Sequence, residues 1–195
     1  MKNIFIISGP SGAGEDSIIA GIKKIIPIEI VKSTSTRPMR PDESSGNPYY
    51  FISEEKFATG IKAGNFLEYA QEYNGHYYGV THAEIERVQN SGKIGIWKIE
   101  YKGVMTAKKL FPEIIAIFIN APLDVLEKRI RARDFANDEY VKERMKYTKE
   151  WLKHLDIYDY KVENEEGKLD KAIQDVVDII EKNRANTDPT LTKSL

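Results

Sequence analysis

The chain has 195 residues, 41% of them hydrophobic, and its 29 basic and 30 acidic side chains give a formal net charge of −1. This length suits one α/β domain with an insert or two, and the near-zero charge argues against nucleic-acid binding driven by bulk charge. Because there is no cysteine and no apolar run of ~18 residues, disulfides, thiol catalysis, cysteine-based zinc sites and a membrane-spanning helix are excluded, and we expect a cytoplasmic protein.

The N-terminal segment has the pattern of a strand, a glycine-rich loop and a helix. Ile4 to Ile7 is continuously apolar, as in a strand buried on both faces of a parallel sheet. Gly9 to Gly14 form the loop, and the isoleucines between positions 18 and 26 recur at helical spacing. This order predicts the opening of a parallel α/β domain.

Residues 33–81 differ in composition and predict a β-containing insert, because Ser, Thr, Pro, Gly, Asn and Tyr dominate between short β-like pieces. A helical pattern returns at 82–91. The isoleucines at 94, 96 and 99 predict a second inner strand, and Ile114 to Ile119 predict a third.

The C-terminal part reads as mainly helical. Residues 122–155 are helical and heavily charged, with an expected break at Asp134 to Asp138. Alternation from Tyr158 to Val162 predicts a last short strand, and a regular apolar stripe between 169 and 180 predicts a closing helix. Residues 185–195 have no periodicity and are expected to form a flexible tail.

The loop after the first strand has the glycine spacing of the phosphate-binding motif G-x-x-x-x-G-K-[ST] and its strand–loop–helix context. In such a loop the backbone N–H groups and the helix N-terminus point at an anion. The predicted phosphate contacts are Gly9, Ser11, Gly12, Ala13, Gly14, Glu15, Asp16 and Ser17.

The motif is broken where charge matters most. Glu15 stands at the lysine position and Asp16 at the first hydroxyl position. A carboxylate about 4 Å from a phosphate charge costs ~1 kcal/mol in water and ~4 kcal/mol at an effective dielectric of 20. Taken alone, Glu15 predicts weak nucleotide binding or an inactive site.

Several separated segments together resemble guanylate kinases, and the resemblance extends to about residue 182. The segments are the loop at 9–14, Ser33-x-x-x-Arg37-Pro-x-Arg40, Gly46-Asn-Pro-Tyr49, Phe66-Leu-Glu68 and Tyr77-Tyr78-Gly79. The resemblance implies an α/β fold of the P-loop NTPase type, with a parallel sheet flanked by helices. It also implies a domain at 1–184, with a core at 1–32, 82–125 and 146–184, a nucleoside-monophosphate-binding insert at 33–81, and a helical lid at 126–145.

The implied reaction is Mg²⁺-dependent phosphoryl transfer from ATP to GMP, with ATP and GMP as the small-molecule partners. The implied GMP-binding residues are Ser33, Arg37, Arg40, Tyr49, Glu68, Tyr78, Thr81 and Glu100. Guanidinium forks and phenols suit a phosphate dianion, and a carboxylate accepts from the guanine N1–H and 2-amino groups. The small hydroxyl that the family carries after Tyr-Gly is Val80 here, with Thr81 adjacent.

The lid arginines implied by the resemblance are Arg129, Arg133 and Arg144, and Asn164 lies on the adenine side. A solvated basic helix face is the alternative interpretation of these arginines. A second departure is Lys98, where guanylate kinases have an acidic residue, so Glu15 and Lys98 exchange the charges of a pair. We predict that Lys98 supplies the catalytic ammonium and that Glu15 or Asp16 helps to hold Mg²⁺.

Two alternatives stay open at this point. A guanylate-kinase-like binding module would read GMP or a phosphopeptide, and Glu15–Lys98 would then be a structural ion pair. The Asp16-Ser17 pair together with Val80 instead resembles ribose-bisphosphate kinases. The sequence leaves the assembly open between a monomer and a homodimer.

Overall fold

The computed structural model describes residues 1, 3–71, 75–133 and 136–187. The strands are β1 (Ile4–Ser8), β2 (Ile28–Val31), β3 (Thr34–Ser35), β4 (Tyr50–Phe51), β5 (Phe66–Gln71), β6 (Tyr77–Thr81), β7 (Ile94–Lys98), β8 (Ile115–Asn120) and β9 (Tyr160–Glu163). The helices are α1 (Glu15–Ile25), α2 (Glu54–Lys62), α3 (His82–Gln89), α4 (Tyr101–Leu110), α5 (Leu123–Arg131), α6 (Asp138–Trp151) and α7 (Leu169–Thr187), and a 3₁₀ segment covers Leu152–Ile157.

The central sheet is parallel, with strand order β2-β7-β1-β8-β9. The crossover helices of a parallel sheet cover both its faces, which explains why β1 is apolar from Ile4 to Ile7 and buried along its whole length. On one face, α1 and α7 contribute Ile18, Ile22 and Val176 to a core with Ile7. On the other, α3 and α4 pack against alternate residues of the same strands.

A smaller sheet, in the order β4-β3-β6-β5, is built by residues 34–81. It is covered by α2, whose buried Phe57 ring stacks on Phe66 with 4.2 Å between the ring centroids. The β-containing insert predicted from composition is therefore present as a separate sheet.

The strands predicted from the apolar runs at 4–7, 94–99 and 114–119 correspond to β1, β7 and β8. The predicted closing helix corresponds to α7. The helical break falls between Arg131 and Asp138, with positions 134 and 135 outside the described residues. Helix α7 continues to Thr187, so residues 185–187 of the expected tail are helical, while 188–195 lie outside the described residues. None of the described helices is long and apolar enough to cross a membrane.

Candidate active site

The main cleft has a volume of about 640 Å³ and lies between the carboxyl ends of β1 and β7 and the smaller sheet. Ligand sites of parallel α/β sheets are found at this end of the strands. The predicted site residues that line the cleft are Gly9, Ser11, Gly12, Glu15, Asp16, Ser33, Arg37, Arg40, Tyr49, Glu68, Tyr78, Lys98, Glu100, Arg133 and Arg144. The fold therefore brings residues from 9 to 144 in the chain to one cavity.

A second cavity, of about 200 Å³, borders the other part of the glycine-rich loop. It is lined by Gly14, Ser17, Arg129 and Asn164 together with Glu165, Gly167 and Leu169. Ala13 lines neither cavity, because it is fully buried, and its carbonyl accepts a hydrogen bond from Asn164 Nδ2 at 2.7 Å. Of the eight predicted phosphate contacts, five therefore line the main cleft and two line the smaller cavity.

The loop conformation depends on glycines with left-handed backbone angles. Gly12 has φ +89° and Gly14 has φ +92°, values that L side chains rarely adopt. A Cβ atom on Gly14 would lie 2.5 Å from Asn164 Nδ2. Curled in this way, and followed by the N-terminus of α1, the loop has the geometry of an anion-binding site.

Arg129, on helix α5, is hydrogen-bonded to this loop. Its Nη1 donates to the carbonyl of Gly12 at 3.1 Å and its Nη2 to the carbonyl of Asn164 at 3.0 Å. The predicted lid arginine is therefore not in the main cleft, unlike Arg133 and Arg144, because its guanidinium joins two backbone segments. Its observed contacts are structural.

Lys98 forms an ion pair with Asp16. Lys98 Nζ lies 2.6 Å from Asp16 Oδ1, and Asp16 is exposed in the first turn of α1. Parallel pairing sets Ile7 opposite Lys98, which brings the lysine beside the start of the loop. The carboxylate that Lys98 contacts is therefore Asp16, whereas the binding-module alternative assigns a structural ion pair to Glu15 and Lys98.

Burial raises the pKa of Glu15 to about 7, although its backbone hydrogen bond and the charge of Lys98 oppose this shift. Burial acts to lower the pKa of Lys98, but the charge of Asp16 and its hydrogen bond to Lys98 raise it above its ordinary value. Lys98 is consequently an ammonium at neutral pH, while Glu15 spends much of its time uncharged. The repulsion that Glu15 alone would exert on a phosphate is reduced accordingly.

One corner of the cleft is built around Arg37. Its Nη1 and Nη2 donate to the two carboxylate oxygens of Glu43 at 2.8 and 2.7 Å, and its guanidinium lies 5.4 Å from the Tyr49 ring centroid. The bonds from Arg37 lower the pKa of Glu43 to about 2. Glu43, which orients Arg37, was not predicted from the sequence. The only signal for it is an acidic residue six positions after Arg37 in a segment rich in turn residues.

The opposite end of the cleft holds two carboxylates. Glu68 is only 7% exposed and makes no hydrogen bond to another described residue, and burial raises its pKa to about 7. Glu100 Oε2 accepts a hydrogen bond from the hydroxyl of Tyr147 at 2.6 Å. Ser33 lies nearby in the lining and is also buried. This end is suited to a ligand that presents N–H donors.

Thr81 does not line the cleft. Its Oγ1 accepts from the backbone N–H of Glu84 at 3.2 Å and caps α3, while Val80 is fully buried in the core. This hydroxyl caps a helix in the structure, and the ligand contact expected of Thr81 stays a prediction. No cluster of three or more His, Cys, Asp or Glu side chains suited to a metal ion occurs among the described residues.

Comparison with known proteins gives a consistent result. The family model described as guanylate kinase matches residues 1–183. A guanylate kinase of Legionella pneumophila (strain Paris) is 32% identical over 98% of this chain and 91% of its own length. One from Buchnera aphidicola is 38% identical over 91% and 86%.

Among solved structures, a guanylate kinase from Anaplasma phagocytophilum superposes with a TM-score of 0.73 at 23% identity. The match covers 94% of this chain and 86% of that one. At that identity the likeness establishes the fold, which is a P-loop kinase fold with a parallel five-stranded sheet flanked by helices.

Proposed function

This chain belongs to the guanylate kinase family, and we propose that it transfers the γ-phosphoryl group of ATP to GMP, giving ADP and GDP, with Mg²⁺ as cofactor. The observation that carries the proposal is a single cleft that joins a phosphate loop, the cations Lys98, Arg133 and Arg144, and an acceptor end with two carboxylates. The reaction would belong to purine nucleotide metabolism in the cytoplasm.

The donor side of the proposal uses the loop and the smaller cavity. The backbone N–H groups of Ser11, Gly12 and Gly14 would bind the β- and γ-phosphates of ATP, with the start of α1 adding its partial positive charge. The cavity beside Asn164 would receive the adenine. Arg129 would contribute by holding the loop in its phosphate-binding conformation.

The acceptor side uses the two ends of the main cleft. Arg37 and Arg40, with the phenols of Tyr49 and Tyr78, would hold the phosphate of GMP, and Glu43 would orient Arg37 for that contact. Ser33, Glu68 and Glu100 would read the base. Adenine presents an acceptor at N1 where guanine presents a donor, so buried carboxylates at this end favour GMP over AMP.

Lys98 would replace the missing loop lysine. Phosphoryl transfer is catalysed by positioning and electrostatic stabilisation, so an ammonium that arrives from a neighbouring strand can neutralise developing charge on the transferring group. Arg133 and Arg144 would add charge from the lid side of the same cleft. The raised pKa of Glu15 lowers its average charge at neutral pH and so reduces the repulsion that would otherwise oppose ATP.

Oxygen ligands from Asp16, and from Glu15 in its charged form, suit Mg²⁺, an ion usually bound by one or two carboxylates together with substrate phosphates and water. When bound, Mg²⁺ supplies charge neutralisation at the phosphates. The exposed carboxylate of Asp16 offers two oxygens, one of which contacts Lys98 in the structure.

The binding-module alternative is not favoured. The relatives at 32–38% identity are named guanylate kinases over nearly their full length. A binding module transfers no phosphoryl group and needs no cations to stabilise one, whereas this cleft is lined by Lys98, Arg133 and Arg144.

The acceptor specificity is tested by a coupled ADP-release assay with ATP and Mg²⁺, in which GMP, AMP, UMP and ribose bisphosphate are compared. GMP-dependent turnover well above that of the other acceptors is expected. Turnover only with ribose bisphosphate would instead support the sugar-phosphate alternative. The proposal fails if no acceptor is phosphorylated while GMP still binds by calorimetry.

A further inference from the structure

Helix α6 extends from the lid region into the base end of the cleft and brings Tyr147 there. Arg144, Tyr147 and Trp151 all line the cleft, and their spacing of three and four residues sets them on one helix face. The Tyr147 hydroxyl donates to Oε2 of Glu100 over 2.6 Å, a short contact typical of a bond to a charged oxygen. Tyr147 was not identified from the sequence pattern.

The position of this hydroxyl is fixed by packing of the ring. The Tyr147 ring lies 5.8 Å from Tyr101 and 6.0 Å from Trp151, between centroids. Trp151 is itself anchored, because its Nε1 donates to the hydroxyl of Tyr158 at 2.9 Å. This packing restricts the Tyr147 side chain, so its hydroxyl loses little conformational freedom when a ligand binds.

We propose that Tyr147 is a positioning residue that determines purine specificity by fixing Glu100 as an acceptor for the base. This inference rests on the proposed function and names a residue for the same site. A hydroxyl that donates to one oxygen of Glu100 fixes the orientation of the carboxylate and leaves its other oxygen for a ligand donor. Glu68 supplies the second carboxylate at this end of the cleft.

The base chemistry gives the expected discrimination. Guanine presents two kinds of donor on this edge, N1–H and the 2-amino group, whereas hypoxanthine presents only N1–H. Two carboxylates can satisfy both donors of GMP, and one of the two carboxylates lacks a donor when IMP binds. Loss of the Tyr147 hydroxyl should therefore weaken GMP more than IMP.

The test compares Tyr147→Phe, which keeps the ring, with the wild-type protein. Dissociation constants for GMP and IMP are measured by calorimetry, and kcat and KM are measured for GMP. The control is Tyr160→Phe. Tyr160 lies on β9, outside the cleft, and its hydroxyl is hydrogen-bonded to Asn183. We expect about tenfold weaker GMP binding in Tyr147→Phe, a smaller loss for IMP, and a KM effect larger than the kcat effect.

Glu100→Gln provides the second variant. It should reduce the GMP-to-IMP preference as well, and Tyr147→Phe should add little to it, because the two side chains act as a unit. Equal weakening of GMP and IMP, or an unchanged preference, would overturn the inference while leaving the kinase proposal intact. A wild-type protein that binds GMP selectively but does not turn over would contradict only the kinase proposal, and equal wild-type affinities for GMP and IMP would overturn only the inference.

Discussion

At the scale of single residues, the buried carboxyl group of Glu68 makes the stability of the fold depend on pH. Its carboxylate is almost completely removed from water, and burial raises its pKa to about 7 from an ordinary value of 4.5. The folded state therefore binds more protons than the unfolded state between these two pH values. Stability must fall as pH rises through this window, because the charged form is disfavoured only in the folded protein.

Replacement of Glu68 by glutamine should consequently stabilise the empty protein at pH 8, since the neutral amide does not titrate. A shift from 4.5 to about 7 corresponds to about 3 kcal/mol of unfolding free energy above pH 7 and to almost nothing below pH 4.5. Urea unfolding of Glu68→Gln and the wild type at pH 5 and pH 8 measures this difference. Glu86→Gln, at an exposed position on α3, is the control, and a gain for Glu68→Gln that does not grow with pH would contradict the argument.

GMP binding should be coupled to proton release from the same residue. Guanine donors favour the charged carboxylate, so its pKa falls on binding and about half a proton leaves at pH 7. Affinity for GMP should weaken as the pH is lowered from 8 to 6. Calorimetry in two buffers of different ionisation enthalpy counts the protons, and Glu68→Gln should abolish the release. Equal proton release in that variant would assign it to another group.

Residue types in the sequence were enough to predict most of the cleft lining, but not which partners they contact. The Lys98–Asp16 pair depends on the register of β1 against β7, which no local pattern specifies. Arg129 was predicted to act above the phosphate, but its contacts with Gly12 and Asn164 require the tertiary arrangement of three loops. Thr81 carries a hydroxyl suited to binding, and only the start of α3 shows that it is a cap.

At the scale of secondary structure, long apolar runs and regular stripes identified the elements buried on both faces, such as β1, β8 and α7. Helices α2 and α4 and strand β2 were not predicted. Helix α2 has few apolar positions, and its clearest signal is the cap in which Ser53 accepts from the backbone N–H of Lys56. The two-residue strand β3 exists through pairing with β4 and β6 in the smaller sheet, which local propensity cannot encode, whereas β4 lies in a segment with β-like composition.

The conformation of the glycine-rich loop depends on one side chain, that of Arg129. Arg129→Ala removes the bonds to the carbonyls of Gly12 and Asn164, so the loop should lose its fixed conformation. We expect KM for ATP to rise by about tenfold while KM for GMP changes little, since two hydrogen bonds from a charged donor are lost. Arg131→Ala, on the same helix but paired with Glu127 and Asp138, serves as the control in steady-state kinetics. Equal increases in both KM values would argue against a local effect on the loop.

At the scale of the whole molecule, the cleft contains charged side chains of both signs at different depths. Glu68 is buried, whereas Arg40 and Arg133 are exposed. A net charge of −1 therefore conceals a cleft that is lined by both cations and carboxylates. The family relationship and this arrangement agree in favouring phosphoryl transfer, although the loop lysine is absent.

The central claim is that Lys98 performs the task of the missing loop lysine. The Asp16 side chain is exposed and that of Lys98 is 33% exposed, so their ion pair contributes little to stability, ~0–1 kcal/mol, and a Lys98 variant should remain folded. Lys93 provides a matched control, because it precedes β7, pairs with Glu29 and lies outside the cleft.

The most direct measurement is kcat for GMP-dependent ADP release by the wild type, Lys98→Ala, Lys98→Arg and Lys93→Ala, with melting temperatures recorded in parallel. The account predicts that the wild type turns over and that Lys98→Ala loses about 10²–10³ in kcat at a nearly unchanged melting temperature. Lys98→Arg should retain part of the rate, and Lys93→Ala should match the wild type. Wild-type kcat in Lys98→Ala would contradict the claim.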